Sequence, residues 1–342
     1  MFLTMPKTNG VPPEGSPNAS IAIVGDFASK FDTNAMRPFS GPAGTIIEQC
    51  IHAAGLIRGE CYMTNLVKVH PLKVVGKKGN EFISFDTKSR GTFTERGMGY
   101  VEELREELNG VGANVIVACG DAAFLALTSL NKLSKYRGYI FRSTGLKEER
   151  KVIGTHHPSS SLRGMYTYRH MMVADMQKAK SECDFRELVR PDRKLIYDFP
   201  TVNDALEWLE YYETVSIVSV DIEVLNYEVS CISFSADPNL AISMPITGRL
   251  DEGEELQIWR AIQRILGNPR SIKVFQNGIF DIHFMLTRNG ITVRGPIHDT
   301  MIAHSIMFPD LPKGLGFLGS IYCASQEYWK DTVSFTNIKE DS

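Results

Sequence analysis

The sequence lacks several features that mark particular protein classes. None of its apolar runs approaches the roughly 20 residues that a membrane-spanning helix needs, so we expect no membrane segment. The six cysteines include no Cys-x-x-Cys pair and no histidine at zinc-finger spacing, which predicts reduced core thiols and no zinc site. A net charge of only −3 means that any nucleic-acid surface must be local. Together these absences predict a cytoplasmic globular protein.

The length of 342 residues predicts two domains, because single hydrophobic cores usually stop growing near 250–300 residues. Residues 1–18 are rich in proline and glycine and predict a disordered tail. Residues 19–182 alternate strands with helices, which predicts an α/β/α three-layer domain with a mainly parallel sheet. A charged, proline-containing stretch at 183–194 predicts a linker, and residues 195–342 predict a second domain with a mixed sheet. The predicted strands of the first domain are 21–24, 62–67, 115–118 and 152–153, and its predicted helices are 43–54, 101–108, 121–127 and 168–180.

Acidic side chains follow two predicted strands of the second domain. Asp221-Ile222-Glu223 closes an apolar strand, and because side chains alternate along a strand, both carboxylates point to one side. A third carboxylate, Asp281, comes six residues after another predicted strand, 272–275. Carboxylates are the ligands that Mg²⁺ prefers, and two such ions can drive phosphodiester hydrolysis. The pattern therefore suggests a two-metal nuclease, while a solvated turn is the alternative for the tripeptide alone.

A second candidate feature is a basic, glycine-containing stretch between Lys68 and Arg96. It holds seven basic residues against three acidic ones. Lys77 and Lys78 lie at its centre and are candidates for contact with a phosphate backbone. A solvated loop is the equally open alternative.

The order of elements in the second domain resembles the proofreading 3′–5′ exonuclease domain of the DNA polymerase I family, which has a ribonuclease H-like fold. This resemblance implies that Asp221, Glu223 and Asp281 are catalytic and bind two Mg²⁺ or Mn²⁺ ions. It also implies that Asn277 holds the second-motif loop or the substrate, and His298-Asp299-Thr300 matches a later Asp-Thr. The third motif of that family, a Tyr and an Asp four residues apart, does not appear by residue 342. We therefore expect a truncated exonuclease domain with little or no nuclease activity.

The first domain resembles the uracil-DNA glycosylase superfamily, and its iron–sulfur members most closely. The matching segments are residues 37–44, 55–58, 61–68, 114–126 and 157–159. The resemblance implies that Phe39 stacks on an extruded base and that Asn65 reads the uracil edge. It further implies that His157 stabilises the departing base, with Ser159 in the same substrate-binding loop.

The first motif departs from that superfamily. Residues 25–29 read Gly-Asp-Phe-Ala-Ser where the relatives have Gly-Glu-Ala-Pro-Gly. Asp26 keeps a carboxylate near the sugar as a catalytic candidate, but its side chain is one methylene shorter. Val69 stands where a cluster cysteine is expected, so no iron–sulfur cluster should bind. We expect base excision to be weak or lost.

The tandem order resembles the N-terminal part of certain bacteriophage family A DNA polymerases. The leading hypothesis is such a replication protein, which contacts single-stranded DNA or 3′ ends and works with the remaining polymerase polypeptide in the cytoplasm of a bacterial host. One alternative is a uracil-DNA glycosylase of base-excision repair. A second is a non-catalytic DNA-binding accessory subunit, and a less favoured one is an RNA-processing exonuclease of the same fold.

Overall fold

The computed structural model describes residues 10–73, 79–86, 90–246, 250–323 and 328. The chain forms two compact units. The first contains the described residues up to Arg190 together with those from Gly316 onward, and the second spans Pro191–Leu315. The units separate at Arg190, inside the stretch 183–194 that the sequence predicts as a linker.

The first unit is built on a five-stranded sheet with the order β2-β1-β5-β7-β6, parallel except for β6. A separate hairpin, β3-β4, lies outside that sheet. The strands are β1 (Ile21–Phe27), β2 (Tyr62–Val67), β3 (Ile83–Phe85), β4 (Gly91–Phe93), β5 (Val115–Cys119), β6 (Ile140–Arg142) and β7 (Lys151–Thr155). The helices are α1 (Lys30–Ala35), α2 (Pro42–Ala53), α3 (Glu95–Asn109), α4 (Asp121–Thr128), α5 (Leu133–Tyr136) and α6 (Tyr168–Ser181), with 3₁₀ turns at Arg58–Glu60 and Pro158–Arg163.

Both faces of this sheet are buried. On β1, Ala22 and Val24 pack in a core with residues of α3 and α4, while Ile21 and Ile23 pack in a second core with residues of α2 and α6. Alternate residues of one strand thus serve two helical layers, as a parallel sheet requires. The predicted three-layer α/β/α arrangement is confirmed.

The segment 10–18 differs from the disordered tail that the sequence predicts. Val11 is buried, and the backbone of Glu14 forms an antiparallel bridge with Met63 of β2. The proline and glycine content that suggested disorder instead shapes an irregular edge segment, because the exposed edge of β2 offers it hydrogen bonds. The short elements α1, α5, β3, β4 and β6 were also absent from the sequence-based prediction, since three- to six-residue elements carry little periodic signal.

The second unit contains a six-stranded mixed sheet with the order β13-β12-β9-β10-β11-β8, in which β10 is antiparallel to both β9 and β11. This confirms the predicted mixed sheet. Its strands are β8 (Lys194–Ile196), β9 (Ile217–Leu225), β10 (Glu228–Asp237), β11 (Leu240–Pro245), β12 (Ile272–Phe275) and β13 (Ile297–Asp299). Its helices are α7 (Val202–Thr214), α8 (Glu252–Gly267), α9 (Ile279–Asn289) and α10 (Thr300–Met307).

Asp221 lies in the middle of strand β9 and not at its end as the sequence predicts. The strand continues to Leu225 because a tight turn, with positive φ at Asn226 and Tyr227, pairs it with β10. The alternation is as expected: Ile222 is buried and its neighbours Asp221 and Glu223 are exposed. The register of β9 against β10 shifts beside Glu223, which marks a bulge next to the carboxylates.

Helix α11 (Leu315–Tyr322) packs with the first unit from Gly316 onward, although the sequence predicts that residues 195–342 form the second domain. Of the six cysteines, Cys50, Cys61 and Cys119 are buried, but Cys323 is exposed, so not all are core thiols. In the part of the chain that the structure describes, every helix is too short or too polar to cross a membrane.

Candidate functional site

The first candidate site lies at the carboxyl ends of the parallel strands β1 and β2. Gly25 near the end of β1 faces both Asn65 of β2 and the ring of Phe39: a Cβ on Gly25 would lie 2.3 Å from Asn65 Oδ1 and 2.8 Å from Phe39 Cζ. The structure therefore brings together the aromatic ring and the amide that the sequence predicts as base-binding residues. A glycine is needed at this position to leave the space open.

Asn65 carries an unmet hydrogen-bonding group. Its side chain is only 3% exposed, and its Nδ2 is buried with no hydrogen-bond partner among the described residues. A buried amide donor without a partner is costly, so such groups are rare unless a ligand or water satisfies them. The oxygen of the same amide, Oδ1, lies beside the Gly25 position that the ring of Phe39 also faces.

His157 follows strand β7 and is oriented by Ser159. Its Nδ1 accepts a hydrogen bond from Ser159 N at 3.2 Å and lies 2.8 Å from Ser159 Oγ. Burial lowers the pKa of His157 to about 4, with the charge of Arg163 adding to the effect, while Asp32 opposes it. The imidazole is therefore neutral near pH 7. With Nδ1 accepting, Nε2 carries the proton and remains a neutral donor.

Asp26, near the end of strand β1, is held by the start of helix α4. Its Oδ1 accepts the Ala123 N–H at 2.8 Å, at the start of helix α4, and a Cβ on Gly120 would lie 2.2 Å from its Oδ2. Burial raises the pKa of Asp26 to about 7, and the charge of Asp121 contributes, although the helix N–H groups oppose the shift. The carboxylate thus caps a helix, which the sequence alone did not indicate. Its catalytic role remains a prediction.

The basic stretch is mostly neutralised where it is described. Lys68 is buried and paired with Glu107 at 2.6 Å, so it does not face solvent as the sequence suggests. Its long side chain reaches inward from β2 to the carboxylate on α3. Arg90 and Arg96 pair with acidic neighbours of the β3-β4 region. Lys77 and Lys78 lie outside the described residues, and their predicted contact with DNA stays a prediction.

The second candidate site is a group of carboxylates on β9 and α9. Asp281, in the first turn of α9, accepts the Ile222 N–H through Oδ1 at 3.2 Å, which places it against the strand segment between Asp221 and Glu223. Although Asp221 keeps contact with solvent, partial desolvation of its carboxyl by the surrounding protein raises its pKa to about 6, and the charges of Asp281 and Glu223 add to the shift. Burial also raises the pKa of Asp281. The three predicted ligands therefore repel one another, and a cation would relieve that repulsion.

Asp299 organises the loop that carries Asn277. Its carboxylate accepts the N–H groups of Asn277 at 3.3 Å and Gly278 at 2.7 Å, and it also caps helix α10. Burial alone would raise the pKa of Asp299, but the backbone donors outweigh it and the pKa is lowered. This braces Asn277, whose φ is 63°. The Asp-Thr pair in the sequence was the only signal for this role.

The three carboxylates suit Mg²⁺ or Mn²⁺ in their chemistry but not in their arrangement. Hard oxygen ligands and mutual repulsion suit such a cation. However, within the described ranges no three Asp, Glu, His or Cys side chains are gathered closely enough to hold a metal ion. Oδ1 of Asp281 accepts the backbone N–H of Ile222. In this structure Asp281 therefore does not form a metal ligand set with Asp221 and Glu223.

Comparison with known families agrees with both halves of this geometry. The sequence profile of the uracil DNA glycosylase superfamily matches residues 12–180, and that of a 3′–5′ exonuclease matches residues 199–334. The chain carries a glycosylase-superfamily domain followed by an exonuclease domain. The predicted order of two nucleic-acid-processing domains is confirmed.

Individual relatives match one domain each. A type-4 uracil-DNA glycosylase from Thermotoga maritima is 29% identical over 182 residues, which cover 52% of this chain and 85% of that protein. A type-4 uracil-DNA glycosylase from Archaeoglobus fulgidus is 25% identical over 187 residues, covering 53% of this chain and 81% of the relative. Among solved structures, RNase D from Escherichia coli, an exoribonuclease involved in structured RNA processing, aligns at 17% identity with a TM-score of 0.32. That alignment covers 42% of this chain and 37% of RNase D.

Proposed function

We propose that this protein acts on DNA as the N-terminal portion of a family A-type DNA polymerase. In this proposal the glycosylase-superfamily domain binds an extruded uracil and the exonuclease domain belongs to a 3′–5′ editing site. The observation that carries the first half is the buried, partnerless Nδ2 of Asn65 beside the ring of Phe39. The order of the two matched domains supports the second half.

In the first domain, Phe39 offers a π-face to an extruded base, and Asn65 offers a donor and an acceptor to its edge. The neutral His157 donates through Nε2 to the oxygen on which charge develops as the base departs. The side chain of Asp26 is one methylene shorter than the glutamate of the relatives, and its Oδ1 accepts the Ala123 N–H of α4. We therefore infer that base binding is retained and excision is slow.

In the second domain, Asp221, Glu223 and Asp281 would hold Mg²⁺ or Mn²⁺. Bound there, the ions would supply a nucleophilic water and stabilise the leaving 3′ oxygen. Asp299 would keep the second-motif loop in place while Asn277 holds the loop or the substrate strand. Because the described residues do not gather these three carboxylates into a ligand set, we expect weak nuclease activity.

The base-binding proposal is tested with single-stranded DNA that contains one uracil. We expect tighter binding than to the same strand with an abasic analogue at that position, and at least tenfold loss of this difference in Asn65→Ala. Gln177→Ala, which removes an exposed carboxamide from helix α6 of the same unit, is the matched control. Equal affinity of the unaltered protein for both strands would exclude the proposal.

The same strands distinguish the second candidate function, a uracil-DNA glycosylase of base-excision repair. The type-4 relatives favour this alternative, as they match most of their own length. Rapid formation of alkali-labile sites, lost in Asn65→Ala, would establish it over the binding role. Binding without turnover would instead favour the replication protein or a non-catalytic accessory subunit.

The metal proposal is tested by calorimetric titration with Mn²⁺. We expect binding that is lost in Asp221→Asn and kept in Asp310→Asn, an exposed acid of the same unit. Because bound ions require ionised ligands, the affinity should rise with pH. Unchanged binding in Asp221→Asn would show that the ion sits elsewhere.

A further inference from the structure

The loop that carries Phe39 is held in an unusual conformation. Phe39 has a φ of 52°, in the left-handed region that bulky side chains avoid, yet its side chain is only 6% exposed. The loop also lies tightly against the start of α2, where a Cβ on Gly44 would come within 1.8 Å of Phe39 O. Such a conformation persists only where surrounding contacts fix it.

The side chain of Arg58 supplies those contacts. It is 8% exposed and donates through Nη2 to Pro38 O at 2.7 Å and through Nη1 to Phe39 O at 3.5 Å. The same Nη2 lies 2.7 Å from Glu14 Oε2. One guanidinium therefore joins two consecutive carbonyls of the Phe39 loop to a carboxylate that is remote in sequence.

Glu14 links that loop to the strand that carries Asn65. Its backbone pairs with Met63 on β2 through two hydrogen bonds of 2.9 and 2.7 Å. Met63 lies two residues before Asn65. Burial alone would raise the pKa of Glu14, but Arg37 and Arg58 lower it to about 2, so the carboxylate stays charged at every working pH.

We infer that Arg58 and Glu14 are positioning residues of the base pocket. They set the distance between the ring of Phe39 and the amide of Asn65 without lining the Gly25 position where the two meet. This inference rests on the proposed binding of an extruded pyrimidine. Recognition of the base then depends on a clamp of three segments, residues 10–18, the Phe39 loop and strand β2.

The variants Arg58→Lys and Glu14→Gln test the clamp. A lysine keeps the charge but cannot join two carbonyls and a carboxylate in one plane. We expect at least tenfold weaker binding of the uracil strand by Arg58→Lys, a smaller loss in Glu14→Gln, and unchanged binding of the abasic strand. The exposed pair Arg142 and Glu149 provides matched controls, Arg142→Lys and Glu149→Gln, which should change neither affinity.

A double-variant comparison separates positioning from general structure. In a Phe39→Ala background, Arg58→Lys should have no further effect on binding, because the ring it positions is gone, whereas Asn65→Ala should still weaken binding. An equal loss from Arg58→Lys with and without Phe39, or a loss of abasic-strand binding, would overturn the inference.

A readout without DNA keeps the clamp testable if the proposed function fails. We would incorporate 4-fluorophenylalanine at position 39 and record its ¹⁹F resonance in folded protein. The resonance should shift or broaden in Arg58→Lys and Glu14→Gln, and stay in place in the two controls. An unmoved resonance in both clamp variants would refute the clamp, whereas a wild-type protein that does not prefer uracil would refute only the proposed function.

Discussion

Replacing Arg137 with alanine tests how strongly helix α11 is integrated into the first unit. Arg137 and Asp175 form a buried ion pair of 2.5 Å, with side chains 3% and 1% exposed. Asp175 also accepts from Thr155 at 2.6 Å, and Arg137 donates to Ser320 of α11 at 2.5 Å. Removing the guanidinium would leave a buried carboxylate and a buried hydroxyl without their main partner.

The expected cost follows from the burial of both partners. Breaking a buried ion pair by deleting one member typically costs about 3–5 kcal/mol, because the remaining charge is desolvated and unpaired. Burial already raises the pKa of Asp175 against the opposing effect of Arg137, so part of the cost will be relieved by protonation. We therefore expect a loss of about 3 kcal/mol near pH 7, and a smaller loss at pH 5.

Hydrogen exchange measured by mass spectrometry suits this test, because it resolves the two units. Amides of β5 and β7 report the opening of the first unit, and peptides of the second unit serve as an internal reference. The control is Arg142→Ala, whose side chain is 59% exposed and forms only a surface pair, for which at most about 1 kcal/mol is expected. Equal protection losses in Arg137→Ala and Arg142→Ala would refute the reasoning.

Three further changes follow from close contacts and buried charges. Gly25→Ala should reduce binding of the uracil strand at least tenfold, since its Cβ would meet Asn65 and Phe39, and unaltered affinity would contradict the pocket. The pKa of Asp26 is about 7 in the folded state and 3.8 for the ordinary, unfolded side chain, so the folded state binds more protons between these values. The free energy of unfolding should therefore fall as the pH rises from 4 to 7. Urea unfolding at pH 5 and 8 should show this slope in the wild type and not in Asp26→Asn; an equal slope in both would assign it elsewhere. Lys273→Met should destabilise the second unit by about 2–4 kcal/mol, because it removes a fully buried ammonium that donates to three backbone carbonyls. Unfolding followed by tryptophan fluorescence measures this loss, and an unchanged stability would show that the carbonyls find other donors.

Local pattern was sufficient for much of the fold. The alternation of Asp221 and Glu223 around Ile222 follows from strand geometry alone, and the strand–helix order predicted both sheets. Phe39 and Asn65 were assigned to one site only through the resemblance of their segments to the uracil-DNA glycosylase superfamily. What the pattern could not give was the end of β9, which depends on the turn at Asn226 and on pairing with β10.

Tertiary contacts decided the remaining features. The sequence indicated that Lys68 belongs to an open basic stretch and that residues 10–18 are a disordered tail, and it gave no sign that Asp26 contacts a helix. In the structure Lys68 pairs with Glu107, Glu14 holds the Phe39 loop, and Asp26 caps α4. Each of these partners is distant in sequence, and away from solvent such a contact determines where the charged side chain lies.

The sequence by itself thus determined the two domains, their order and the residue types at both candidate sites. Only the tertiary structure decided which charges are buried, which carboxylates bind backbone, and that α11 packs with the first unit. The physical reason is range: side-chain alternation and helical periodicity act within a few residues, whereas Arg137 meets Ser320 across 183 positions.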